Sequence, residues 1–129
     1  MDKVINYWKK SAGRDWITAG ILYKNKRYSS CLFFCHLTLE KLLKGLVVKK
    51  TKKHAPYIHY LDKLALKSKL AFNAEHMNDL KVITTFNLGA RYDSYRQSFY
   101  KKADKEYTDK YFKISHKLIL WLKKQYLKK

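Results

Sequence analysis

The stretch from Tyr28 to Lys50, YSSCLFFCHLTLEKLLKGLVVKK, is the longest dense apolar block in the chain and constrains its fold more than any other segment. Its apolar residues follow one another at steps of three and four, which is the spacing of a helix face. They cover more than half of the circumference, so the pattern predicts a central helix buried on several sides, with Leu39 and Leu42 in the core. The charges from Glu40 onward argue against a membrane span.

The rest of the chain shows helical spacing in four further segments and no stretch that alternates with period two for long enough to make a strand. These segments are residues 1–25, a short segment that begins at His59, residues 74–86, and a last helix that has Asp104 as its N-cap. Gly13 and Gly20 interrupt the first of them, and we interpret both glycines as marks of a neighbouring helix that approaches closely.

Two breaks complete the predicted architecture. Asn87-Leu88-Gly89 is predicted to stop the fourth helix, and residues 90–103 have no clean period and are predicted to be irregular. With one proline and four glycines in 129 residues, the chain favours few, long elements. The sequence therefore predicts an all-α, up-and-down bundle of four to five helices, with residues 1–129 forming a single domain.

The charge of the chain is strongly and unevenly basic. It has 29 lysines and arginines against 10 acids, a formal net charge of +19. Residues 41–69 hold nine bases and one acid, whereas residues 70–100 hold three of each. A surface this basic favours polyanionic partners, namely RNA, DNA, nucleotides or an acidic protein. The alternative is that the lysines only solvate the outer faces of helices.

Cys31 and Cys35 are the only cysteines, and they lie one helical turn apart in the apolar block. We interpret them as reduced core residues of a cytoplasmic protein. The N-terminus has no apolar segment of the kind found in signal peptides, and no membrane association is predicted. The histidines and cysteines lack the spacing of a four-ligand zinc site, and no glycine-rich phosphate loop is present, so neither a metal nor a cofactor is predicted.

A polar line crosses the central helix at His36, Glu40 and Lys44, which stand four residues apart. An imidazole, a carboxylate and an amine along one groove could hold a phosphate or a nucleobase. The alternative is a buried polar ladder that orients a neighbouring helix or a dimer partner, since structural ion-pair networks are common.

A second candidate is the segment Arg91-Tyr92-Asp93-Ser94-Tyr95-Arg96, in which arginines and tyrosines could grip phosphate and stack on a base. The alternative is an arginine that caps a helix end beneath packed tyrosines. A single Glu40–Lys44 pair contributes too little to offset deep burial, so a second cation is expected beside Glu40, and Arg91 is predicted to fill that role. The predicted ligand groove thus comprises His36, Glu40, Lys44, Arg91, Tyr92 and Arg96.

CHLTLEKLLK at residues 35–44, APYIHYL at 55–61 and ARY at 90–92 occur in an order that resembles the HEPN domain family. Residues 35–44, CHLTLEKLLK, resemble its signature helix; after a basic break come residues 55–61, APYIHYL, and a short helix. Ala90-Arg91-Tyr92 is similar to the family's arginine–tyrosine motif, and the resemblance covers roughly residues 4–125. It implies an all-α bundle that usually dimerises. It also implies nucleotide or RNA binding, or pairing with a minimal nucleotidyltransferase, often as a toxin–antitoxin pair.

The chain departs from the ribonuclease branch of that family, which needs an arginine followed by a histidine after four to six intervening residues. Arg91 matches the arginine, but the positions for the histidine hold Arg96, Gln97 and Ser98. We therefore predict a non-catalytic homodimer that binds a nucleotide, an RNA or a nucleotidyltransferase partner. The alternative is an atypical ribonuclease toxin that uses Arg91 with His36 or His59.

Overall fold

The computed structural model describes the backbone of residues 1–91 and 93–128 and the side chains of residues 1–87 and 95–128. Over these residues the chain is helical and contains no strand, which confirms the all-α prediction. The helices are α1 (Asp2–Lys24), α2 (Tyr28–Thr51), α3 (Leu61–Ser68), α4 (Ala74–Arg91), α5 (Asp93–Lys102) and α6 (Lys105–Tyr126). Of these described helices, none is long and apolar enough to cross a bilayer.

Helix α2 is the centre of the bundle, as its sequence predicts. It packs against α1, α3, α4 and α6, and its C-terminal two thirds are buried almost without interruption. Leu39 and Leu42 are fully buried, which confirms the predicted helix face. The short break at residues 25–27 turns the chain between α1 and α2, so these two long helices form a hairpin, and the later helices pack mainly on α2.

The prediction that residues 90–103 are irregular is wrong. Helix α4 continues past the predicted stop to Arg91, and Asp93–Lys102 form α5. A glycine inside a helix costs only about 1 kcal/mol, which packing of the helix against its neighbours can offset. Helix α5 is short and mostly polar, and only Phe99 of its described residues is buried, so it has too few core positions to show a period.

The ends of the helices explain how a chain with so few glycines makes its turns. Lys26, Lys52 and Lys69 adopt left-handed backbone conformations, with φ of 59°, 60° and 60°, at the ends of α1, α2 and α3. Glycine and asparagine adopt this conformation more commonly than lysine does. The glycine content of the chain therefore does not reveal these turns. The predicted cap of α6 is confirmed, because the backbone N–H of Tyr107 donates to the carboxylate of Asp104 at 2.9 Å.

Of the three glycines Gly13, Gly20 and Gly45, only Gly45 marks a close approach between helices. A Cβ built on Gly13 or Gly20 would meet no atom of the described residues within 4 Å, so the interpretation that they mark a close neighbour in this chain is wrong. A Cβ on Gly45 would instead lie 3.2 Å from the Cβ of Trp8 and would collide with the hydroxyl of Tyr126. Gly45 therefore lets α1 and α6 close over α2.

Both cysteines lie inside this packed region. Cys31 and Cys35 are free thiols with no exposed surface, beside Ala19 of α1. A hydrogen bond with Cys31, together with burial, raises the pKa of the Cys35 thiol well above its ordinary value. A protonated, enclosed thiol is a poor nucleophile, so the pair acts as part of the core.

Candidate functional site

Glu40 is the centre of a polar cluster on the buried face of α2. Its Oε2 accepts a hydrogen bond from Lys44 Nζ at 3.0 Å, and its Oε1 accepts one from His59 Nδ1 at 2.9 Å. The side chains of Glu40 and Lys44 are each 7% exposed. Lys44 Nζ also lies 5.5 Å from the centre of the Trp8 ring, a cation–π contact that links the cluster to α1.

His36 joins the cluster to the connection between α2 and α3. Its Nε2 lies 3.1 Å from the backbone oxygen of His59 and 3.8 Å from Glu40 Oε1. Because carbonyl and carboxylate oxygens only accept hydrogen bonds, His36 donates from Nε2 and His59 donates from Nδ1. His36 thus contacts the backbone of His59, and Glu40 contacts its side chain. These two hydrogen bonds attach the connection between α2 and α3, residues 52–60, to α2.

The electrostatics of the cluster favour an ionised carboxylate. Burial by itself would raise the pKa of Glu40, but the hydrogen bonds from His59 and Lys44 and the charge of Lys44 lower it below its ordinary value. A pKa lowered on folding means that the folded protein holds this proton less tightly than the unfolded chain does. The resulting stabilisation is complete above the unfolded-state pKa of about 4.3 and is lost as the pH falls through the folded-state pKa.

We therefore expect a Glu40→Gln variant to lose less stability on acidification than the wild type. Between about pH 5 and pH 3 the free energy of unfolding of the wild type should fall more steeply, because only the wild type must protonate this buried carboxylate. Urea denaturation at several pH values measures the two slopes. Glu106→Gln, which removes an exposed carboxylate, is the control for the loss of one negative charge. Identical slopes for Glu40→Gln and the wild type would contradict the assignment.

The structure brings together three of the six residues predicted to line one groove, namely His36, Glu40 and Lys44. The place beside Glu40 in which a second cation was expected holds the imidazole of His59, which the prediction did not include in the groove. The predicted partner Arg91 ends α4, but its side chain and all of Tyr92 lie outside the described residues. Arg96 lies near the N-terminal end of α2, beside Ser29 and Ser30. Ligand binding by these six residues stays a prediction.

Arg96 belongs to a groove between the start of α2 and α5. A cavity of about 320 Å³ there is lined by Ser29, Ser30, Phe33, Phe34, Arg96, Phe99 and Tyr100. Tyr100 also lines two adjoining hollows, one beside Lys26 and Arg27 in the turn after α1 and one beside Lys101. The three hollows share Tyr100 and form one surface with basic side chains around aromatic rings, which we call the α2–α5 groove.

This groove was not predicted from the sequence, because residues 90–103 were predicted to be irregular. Arg96, Phe99 and Tyr100 stand at positions i, i+3 and i+4, which places them on one side of a helix. That spacing was visible in the sequence once residues 93–102 are taken as helical. The contribution of Ser29 and Phe33 was not visible, because it depends on how α5 crosses the first turns of α2.

The family to which this helical bundle belongs is identified by comparison with protein families. A family model of the HEPN domain matches residues 5–125, which is nearly the whole chain. The chain belongs to the HEPN domain family. Comparison with curated proteins and with solved structures gave no match. Membership in the HEPN family implies a function related to nucleotides or RNA, and HEPN domains often form dimers.

The arginine–histidine motif of HEPN ribonucleases is incomplete in this HEPN domain. The three positions at which the histidine would stand hold Arg96, Gln97 and Ser98, and all three lie within α5. The next histidine along the chain, His116, is in α6 and stacks on Trp16 at 5.6 Å between ring centres. The three positions therefore hold one cationic and two polar residues and no histidine.

Proposed function

We propose that this HEPN protein binds single-stranded RNA without cleaving it, in the α2–α5 groove. The observation that carries the proposal is the ring of Tyr100, which is 71% exposed among basic side chains. An exposed aromatic ring offers a surface on which a base can stack, whatever its sequence. Lys26, Arg27 and Lys101 line the hollows that adjoin the ring, and we expect them to contact the phosphates of the bound strand.

The proposal favours single strands over duplexes for a geometric reason. A base that stacks on a protein ring must leave its own stack, which costs little in single-stranded RNA. The groove is lined by Phe33 and Phe99 as well as by Tyr100, so a base that enters it exchanges water for aromatic carbon. The net charge of +19 supports the same class of ligand, since it attracts a polyanion from a distance.

The absence of cleavage is proposed from the motif of the ribonuclease branch, whose histidine is replaced in this chain, as described above. Homodimerisation and pairing with a nucleotidyltransferase in a toxin–antitoxin system remain part of the proposal and rest on the family alone.

Replacing Tyr100 with alanine should weaken RNA binding about five- to a hundredfold, which corresponds to the loss of one stacked base. Fluorescence anisotropy with a labelled single-stranded oligonucleotide measures the change. Tyr57→Ala is the matched control, because Tyr57 is fully exposed in the connection between α2 and α3, away from the groove. Equal affinities for the two variants would overturn the groove as the binding site.

The salt dependence of RNA affinity distinguishes binding of a polyanion on a basic surface from binding of a small ligand in an enclosed site. Affinity should fall steeply between about 50 mM and 200 mM salt, because lysine–phosphate contacts release counterions when they form. Lys101→Ala should reduce the slope of log affinity against log salt by about one. An affinity that does not change with salt would contradict RNA binding through basic side chains.

One observation favours the atypical ribonuclease as a second candidate. The side chain of His59 is 43% exposed, and its Nδ1 is held by Glu40, so its Nε2 is oriented by a carboxylate as in a general base. Incubation with single-stranded RNA and separation of the products test this candidate. If the wild type cleaves the RNA and His59→Gln does not, the protein is a ribonuclease and the proposal of binding without cleavage is wrong. If the RNA binds and remains intact, the proposal is supported.

A further inference from the structure

The outer face of α1 between residues 10 and 24 presents apolar side chains that no other described element covers. Ile17 and Ile21 stand one helical turn apart and are 65% and 55% exposed. Lys10, Arg14 and Lys24 continue the same face at steps of three and four, and each of them is exposed. We call this surface the apolar strip of α1: Ile17 and Ile21, with Lys10 and Arg14 before them and Lys24 after them. The opposite side of α1 is buried in the bundle.

Gly13 and Gly20 flank this strip and remain unexplained by the packing of the chain itself. Glycine is less favourable than alanine in a helix, yet neither glycine adjoins another described element closely enough to need the missing side chain. Glycines on a helix surface allow the backbone of a second helix to come near. Together with Ile17 and Ile21, they make a shallow surface that fits a helix from outside this chain.

The charges of the strip indicate which helix would fit. The only acid of α1 between residues 10 and 24 is Asp15, which lies on the buried side and pairs with Lys41 of α2 at 2.7 Å. Two copies of the strip would bring Lys10 and Arg14 towards basic residues of the other copy in either orientation. Such contacts between like charges are unfavourable, and the net charge of +19 adds to the repulsion.

We infer that the outer face of α1 is a docking surface for an acidic amphipathic helix of another protein. The apolar stripe of that helix covers Ile17 and Ile21, its small residues lie against Gly13 and Gly20, and its acids pair with Lys10, Arg14 and Lys24. The surface uses none of the residues of the α2–α5 groove, so the inference stands apart from RNA binding.

A synthetic helical peptide of about 20 residues tests the inference, with leucine and alanine along one face and glutamate on both flanks. It should bind the wild-type protein, and a Gly20→Leu variant should weaken binding about tenfold or more by filling the surface. Because Gly20 has open space around it, leucine there should leave the fold intact and raise the melting temperature by roughly 3–5 °C. Leu66→Ser, at an exposed leucine of α3, is the control and should bind like the wild type.

Each other outcome overturns the inference. Equal binding by the wild type and Gly20→Leu would mean that the peptide is attracted by charge alone, as would equal binding of a scrambled peptide with the same glutamates. No binding to the wild type would exclude an acidic helix. Light scattering that shows a dimer in the wild type and a monomer in Gly20→Leu would assign the surface to a second copy. RNA affinity, measured in parallel, should be unchanged in Gly20→Leu, so the two proposals succeed or fail separately.

Discussion

Replacing Glu40 with leucine should lower the free energy of unfolding by about 3–5 kcal/mol, the usual cost of removing one partner from a buried ion pair. The reason is the ammonium group of Lys44, which is 7% exposed and would lose the carboxylate 3.0 Å away. His59 would also lose the acceptor of its Nδ1, so the connection between α2 and α3 would be less firmly held. Urea denaturation followed by circular dichroism measures the change.

The double variant Glu40→Leu/Lys44→Met is the matched control for this prediction. Replacing both members of a buried pair by apolar residues is often neutral or stabilising, because neither charge then has to lose its water. The double variant should therefore recover most of the stability lost in Glu40→Leu. If instead it is less stable than the single variant, the loss comes from the packing of residue 40 and not from an unpaired charge.

The sequence predicted the parts of the fold that rest on dense apolar spacing. Residues 28–50 had to form a buried helix, because no other arrangement hides so many apolar side chains that recur at three and four residues. The same spacing predicted that Glu40 would meet Lys44, since residues four apart on a helix are neighbours. Contacts within one helix follow from its period, and these were predictable.

Contacts that depend on irregular backbone were not predictable in the same way. The need for a second partner of Glu40 followed from the cost of burying a carboxylate, but in the structure that partner is the imidazole of His59 and not the predicted arginine. His59 lies 19 residues further along the chain, beyond the end of α2 and a connection with no period. The sequence therefore showed that Glu40 needs a second partner, whereas the identity of that partner depended on the path of residues 52–60.

Replacing Phe86 with alanine should cost about 3–5 kcal/mol, since it empties the centre of an aromatic cluster that joins three helices. Phe86 of α4 has no exposed surface, and its ring centre lies 5.5 Å from those of Phe99 in α5 and Tyr111 in α6. The alanine variant would leave a cavity that these rings cannot fill without moving their helices. Thermal and urea denaturation measure the loss.

The same variant links the core to the α2–α5 groove, because Phe99 contacts Phe86 and also lines the groove. Phe86→Ala should therefore weaken RNA binding at a temperature where it is still folded, although residue 86 is buried and touches no ligand. Phe86→Leu keeps most of the volume, so it should lose less stability and bind RNA nearly as the wild type does. A Phe86→Ala protein with reduced stability but wild-type RNA affinity would show that α5 does not position the groove, and RNA would then have to bind elsewhere on the basic surface.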